Sequence, residues 1–170
     1  MYSFIEDKNF LSTIEKYYIN KEIINNPSFP FYWNEHQVKE DNFPFLSHVM
    51  KSRDNESINS NTFYFFKDVL DNFCNKHNIK YNKILRACIN LTFANEKQIG
   101  TIHKDHEIPH KQLIIYLNES DGNTYLYDDN KKLVKEIVYE QYKVVCFDNC
   151  FHSASFPKSK RRLICIITFN

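Results

Sequence analysis

Residues 143–169 read KVVCFDNCFHSASFPKSKRRLICIITF. Three apolar runs stand in this stretch, Lys143–Phe147, Phe151–Ser155 and Arg162–Phe169, separated by short polar segments. Runs this short, rich in β-branched and aromatic residues and bounded by turn-formers, predict strands. Upstream the same pattern recurs at Leu85–Phe93, Gln98–His103, Gln112–Leu117, Asn123–Tyr127 and Lys132–Val138. Eight short strands at this spacing predict a β-sandwich or barrel-like double sheet of the jelly-roll type. Asp121-Gly122-Asn123 reads as a hairpin turn between two of them.

The first half is mixed. Phe4 to Tyr18 places apolar residues at Phe4, Ile5, Leu11, Ile14, Tyr17 and Tyr18, close to helical spacing. Pro27 and Pro30 end any helix before the aromatic run Phe29, Phe31, Tyr32, Trp33. Asp54 to Asn61 is polar and reads as a loop, and Thr62 to His77 again has helical spacing, with Thr62 as its expected cap. The fold class expected is therefore mainly β with N-terminal helices (α+β). Residues 1–84 would form a helical or mixed support and 85–170 the β core of a single domain spanning 1–170, a size that suits one core.

Composition excludes several classes. Of 170 residues 42% are hydrophobic and 16% aromatic, which is globular and not disordered. Net charge is +1, so nothing global points to nucleic acid or an acidic membrane as partner. Only Gly100 and Gly122 are glycines, and abundant Asn takes over turn chemistry. Five cysteines, Cys74, Cys88, Cys146, Cys150 and Cys165, form no disulfide framework. Cys146 and Cys150 lack a second close pair for zinc, so buried free thiols are expected. The N-terminus lacks the pattern of a signal peptide, and no apolar run approaches membrane-spanning length. A soluble protein of a reducing, cytoplasmic compartment is expected.

The chemistry-bearing residues begin with His103-Lys104-Asp105. On a strand or at its end, residues two apart face one side, so an imidazole and a carboxylate can reach a common metal. His152 lies 47 positions beyond Asp105 and supplies a third ligand. Two histidines and one carboxylate on one face of an ion leave positions open for a bidentate cosubstrate and dioxygen, as in non-haem iron(II) sites. Ten positions after His152, Arg162 opens the apolar final run. A guanidinium on a buried strand needs a partner, and a carboxylate supplies one. Arg161 competes, but strand neighbours face opposite sides, and Arg162 is the preferred one.

The ordered series His103-Lys104-Asp105, Tyr116-Leu117-Asn118, Asp121-Gly122-Asn123-Thr124, Val144-Val145-Cys146-Phe147-Asp148, His152 and Arg162 resembles the iron(II)/2-oxoglutarate-dependent oxygenase superfamily. It is most similar to the compact prolyl-hydroxylase-like branch, with its phage-type and marine bacterial members, and the resemblance covers about residues 85 to 170. It implies a double-stranded β-helix, a cupin-like jelly roll. It implies that His103, Asp105 and His152 ligate Fe(II) and that Arg162 and Tyr116 hold the distal carboxylate of 2-oxoglutarate, with O2 as cosubstrate and succinate and CO2 as coproducts. It implies hydroxylation of a peptidyl side chain, proline among the candidates, or of a small metabolite, and it makes a phage-encoded origin an expectation. The usual Gly-Gly pair is here a single Gly122. Three other readings stay open: a cupin-type metalloenzyme without 2-oxoglutarate, a non-catalytic β-helix binding module, and a viral structural protein with an incidental histidine pattern. His106 and His110 are read as surface or supporting residues, His48 as packing or substrate-facing, Phe31, Tyr32 and Trp33 as core or substrate mouth, and Asn90 as a strand residue able to face a pocket.

Overall fold

A computed structural model describes residues 3–38, 41–95 and 98–170. Two antiparallel sheets face each other. The larger contains β1 (Phe4–Asp7), β2 (Tyr32–Asn34), β3 (Phe45–Lys51), β4 (Ile84–Thr92), β5 (Lys111–Tyr116), β8 (Val144–Asp148) and β10 (Arg162–Phe169). Its strand order is β1-β8-β5-β10-β4-β3-β2. The smaller has β7 (Leu133–Ile137), β6 (Thr124–Tyr127) and β9 (Phe151–Ala154), in that order. β10 lies between β4 and β5, and every one of its residues is buried. Its unbroken apolar run follows from that, because both faces are covered.

Alternation along β4, β5 and β10 divides the core in two. One face packs Leu113, Ile115, Leu163, Cys165 and Ile167 against helix α2 (Thr62–Lys76), through Phe66, Leu70 and Phe73. The opposite face turns Ile114, Tyr116, Ile164 and Ile166 toward Leu126 and Ile137 of the smaller sheet. This second layer encloses the cavity described below.

Four local expectations are corrected. Phe4–Asp7 is not helical but pairs with β8 as the sheet's edge. The helix starts later, at α1 (Thr13–Tyr18), because Ser12 and Glu15 close a capping box. It continues as a wider, π-type segment over Ile19–Ile24, where Asn25 N–H donates to the Asn20 carbonyl. Thr62 is the first helical residue of α2 rather than its cap; Asn61 holds that position, and Ser60 Oγ accepts from the Thr62 N–H at 3.3 Å.

Gln98–His103 is not a strand but an irregular segment tied to β9 by isolated bridges at Ile99–Ser155 and His103–His152. Finally, Asp121-Gly122-Asn123 is no hairpin turn, since β5 and β6 belong to different sheets and the segment crosses between them. Gly122 is needed there because a Cβ would stand 2.6 Å from Arg162 Cδ and 2.7 Å from the Ser155 carbonyl oxygen. No helix among the described residues is long and apolar enough to cross a membrane.

Candidate active site

The irregular segment and β9 bring two histidines side by side. His103 N–H donates to the His152 carbonyl at 3.0 Å, and His152 N–H donates back at 2.9 Å. Asp105 sits in the bend that follows. One donor atom from each of His103, Asp105 and His152 lies within 4.8 Å of the others. His152 Nε2 is 3.6 Å from Asp105 Oδ2.

Three observations show that this cluster fits a divalent metal. His103 Nδ1 lies 2.9 Å from the Thr101 carbonyl and His152 Nδ1 lies 3.2 Å from the Cys150 carbonyl. Each Nδ1 is thereby the protonated nitrogen, and each Nε2 keeps a free lone pair. Asp105 Oδ2 is buried without a hydrogen-bond partner, a costly state that a metal relieves. Burial, and next the neighbouring His103, push the His152 imidazole down to about 4, so it is neutral near pH 7 as a ligand must be. Burial pushes the Asp105 carboxyl up, but His152, Arg86, His103 and Arg53 outweigh it and hold the group below its usual range. The donor set is two imidazoles and one carboxylate, which suits non-haem iron.

Arg162 enters the same cavity from β10 and is 4% exposed. Its Nε donates to the Gly122 carbonyl at 2.8 Å, and its Nη2 to Thr124 Oγ1 at 3.0 Å. Its guanidinium also lies over the stacked rings of Tyr116 and Tyr139. No ion pair joins it to a carboxylate among the described residues, so a buried cation stands without a counter-ion. An entering carboxylate supplies one. Arg161 is exposed and, among the described residues, its side chain donates to the Ile24 carbonyl at 3.4 Å, so of the two arginines Arg162 is the one that lines the cavity.

Tyr116 is fully buried beside Arg162, and its hydroxyl donates to Thr124 Oγ1 at 2.8 Å. Thr124 therefore accepts from both Tyr116 and Arg162 and lines the cavity with its own hydroxyl hydrogen free to donate.

The remaining candidates separate cleanly. Asn90 lines the cavity and accepts from Ser47 Oγ at 2.8 Å. His106 sits outside the ligand cluster, its Nε2 2.8 Å from Thr168 Oγ1 and its ring edge-on to His110. His48 pairs with Ile89 on the opposite face of the sheet, with Nδ1 2.9 Å from the Pro30 carbonyl and its ring on Phe29, so it packs rather than faces the cavity. Phe31 packs against the α2-side core, while Tyr32 and Trp33 are exposed on the edge strand β2.

The sequence reading missed Thr124, Tyr139, Gln112 and Arg86 as cavity or supporting residues. Thr124 stood inside a quoted motif, and Arg86 lies four residues before Asn90 on the same strand face. Period-two alternation carried the signal for Arg86.

No protein-family model matches the chain. No curated protein matches it significantly either. Solved structures do. An oxidoreductase of the 2OG-Fe(II) oxygenase family from Burkholderia pseudomallei superposes with a TM-score of 0.77 at 11% identity, over 99% of this chain and 84% of that one. A prolyl hydroxylase from Trichoplax adhaerens, in complex with a peptide fragment of the hypoxia inducible factor oxygen degradation domain, gives 0.70 at 12%, over 98% and 82%. The viral collagen prolyl hydroxylase of Paramecium Bursaria Chlorella virus-1, in its 2OG complex, gives 0.57 at 15%, over 98% and 94%. With the two facing sheets and the connections traced above, this chain has the jelly-roll, double-stranded β-helix fold of the 2-oxoglutarate–iron(II) oxygenases.

Proposed function

We propose that this protein is an Fe(II)- and 2-oxoglutarate-dependent dioxygenase that hydroxylates a C–H bond of a peptidyl side chain or small metabolite. One observation carries the reading. A single cavity holds the cluster of His103, Asp105 and His152, with its orphaned carboxylate oxygen, together with a buried arginine that has no counter-ion among the described residues. A metal satisfies the first and a dicarboxylate the second.

His103 Nε2, Asp105 Oδ2 and His152 Nε2 would hold the iron, and Arg162 with the Thr124 hydroxyl would hold the distal carboxylate of 2-oxoglutarate. Tyr116 then acts through Thr124 rather than directly. Bound iron would supply the coupling of two oxidations, in which one oxygen atom of O2 goes to the substrate C–H and the other to 2-oxoglutarate, giving succinate and CO2. The chain's own part is placement and shielding. Thr101 and Cys150 carbonyls fix the imidazole tautomers. Ile114, Ile164 and Ile166 give the cavity an apolar wall that limits water near the reacting centre. A peptidyl substrate gains support from the peptide in the Trichoplax complex. Five free, buried thiols suit a reducing compartment.

The test is anaerobic. Fe(II) and 2-oxoglutarate added to the purified protein should give the visible charge-transfer band of the chelate. A wild-type protein without that band, or a His152→Ala variant that keeps it, overturns the reading.

A further inference from the structure

The inner face of the larger sheet carries a second cationic pole. Arg86 of β4, Thr168 of β10 and Gln112 of β5 are paired in one row across the strands, and Thr92 with Arg162 in another. Six residue steps along β10, from Arg162 to Thr168, separate the two rows, roughly 20 Å of strand. Arg162 and Arg86 thus stand at opposite ends of the cavity that both line. The metal-ligating cluster belongs to the Arg86 end, because Asp105 Oδ1 is 3.9 Å from Arg86 Nη1 and 3.5 Å from Arg53 Nη2.

Those two guanidiniums are under-used. Each has five N–H donors. Among the described residues neither makes a hydrogen bond, and Asp105 is the ion-pair partner of both. Arg86 is nonetheless largely buried, with 20% of its side chain exposed, while Arg53 is half exposed where the groove opens. Asp105 Oδ2, the other oxygen of that shared carboxylate, belongs to the candidate metal cluster, so metal binding weakens the nearest counter-charge they share, and exposed Asp54 acts on both only from beyond ion-pair distance. Asp54 and Glu107 also line the groove, but both are exposed and neither forms an ion pair with these arginines; Lys104, beside them, is paired with Asp129 at 3.2 Å. In the same row Gln112 is 1% exposed, and its Oε1 is buried without a partner. Arg86 and the unpartnered Gln112 acceptor line the cavity, and Arg86 with Arg53 lines the adjoining groove, the two spaces sharing Arg86, His103 and Asp105 as walls.

We infer that the substrate carries a carboxylate, gripped by Arg86 and Arg53, and an N–H that Gln112 Oε1 accepts. Two guanidiniums hold a carboxylate better than one, since a shared anion also relieves their mutual repulsion. A cosubstrate anchored on Arg162 has its reactive end at the metal, so this second grip serves the other reactant. The inference rests on the oxygenase reading. The matching chemistry is a free amino acid or an acidic residue within a peptide.

The test uses Zn(II)-loaded protein with 2-oxoglutarate, which binds without turnover. Calorimetric titration is made with the free L-amino acids and their α-amides, and with hexapeptides centred on Asp or Glu against their Asn and Gln counterparts. The expected result is a binder in the acid form whose amide counterpart binds at least tenfold more weakly. A hit in the first set identifies a free acid, and one in the second an acidic peptide. Arg86→Gln and, independently, the half-exposed Arg53→Gln should each weaken that binder at least tenfold while changing 2-oxoglutarate affinity less than twofold. Amides binding as well as acids, both variants binding like wild type, or no binder at all despite a normal Fe(II)–2-oxoglutarate band overturns the carboxylate grip alone. Absence of the band in wild type removes both readings together.

Discussion

His103 and His152 exchange both of their backbone hydrogen bonds, at 3.0 and 2.9 Å, although 49 positions separate them in the chain. The bridge sets the two rings 4.5 Å apart between centroids, with both Nε2 lone pairs left for a metal. The backbone bridge thus holds the two imidazoles together through the chain's own hydrogen bonds, and metal binding should stabilise the folded chain. Thermal unfolding with added Zn(II) at one hundred times its Kd should show a gain of about 2.7 kcal/mol. Asp105→Ala should lose most of it. An equal shift in that variant would mean the metal binds elsewhere.

Gly122 marks the tightest approach around Arg162. A methyl group there meets Arg162 Cδ and the Ser155 backbone, and the backbone cannot give way as a flexible side chain can. Gly122→Ala should lower stability by about 1–3 kcal/mol through overpacking. It should also raise the Kd for 2-oxoglutarate at least tenfold while leaving Zn(II) affinity within twofold, because no metal ligand is touched. Titration of the charge-transfer band separates the two effects, and unchanged cosubstrate affinity would show that Arg162 is not the anchor.

How much of this was legible in the chain follows from burial. β10 was read as Arg162–Phe169 and is Arg162–Phe169, because a strand covered on both faces has a continuous apolar signature. His103, Asp105, His152 and Arg162 were legible as residue types at suggestive spacings, and the fold brings them to one cavity. Phe4–Asp7 was misread because an edge strand with one half-covered face carries a pattern that also suits a helix. Gln98–His103 failed as a strand because its hydrogen bonds to β9 are scattered rather than laddered. Arg53 gave no signal, since it flanks a polar loop without periodicity and its role depends on where that loop folds back.

Thr124 takes two donors on one oxygen, from Tyr116 at 2.8 Å and Arg162 at 3.0 Å. Thr124→Val leaves both unsatisfied in a buried setting, at about 1–3 kcal/mol for each. Tyr116→Phe removes a single donor and leaves the Arg162–Thr124 bond in place. The expected order of 2-oxoglutarate affinity is wild type, then Tyr116→Phe, then Thr124→Val, with the last weaker by more than tenfold. The reverse order would place the tyrosine hydroxyl directly on the cosubstrate.

Asp7 ties β1 to the C-terminal end of α2, accepting from Lys76 Nζ at 2.7 Å and His77 Nε2 at 3.0 Å. Burial raises its carboxyl, but these two bonds, with one from the Asn9 backbone, outweigh burial and leave it below the usual carboxylate range. A depressed folded value stabilises the protein fully above the unfolded value, near 4. That contribution is lost as pH falls through the folded value. Lys76 is half exposed, so solvent screening limits the pair to about 1 kcal/mol. Asp7→Asn should therefore be less stable than wild type at pH 7 by about that amount, with the gap closing as pH falls below about 4. Urea midpoints measured across this range check it, and two parallel curves would show that Asp7 carries no linked proton.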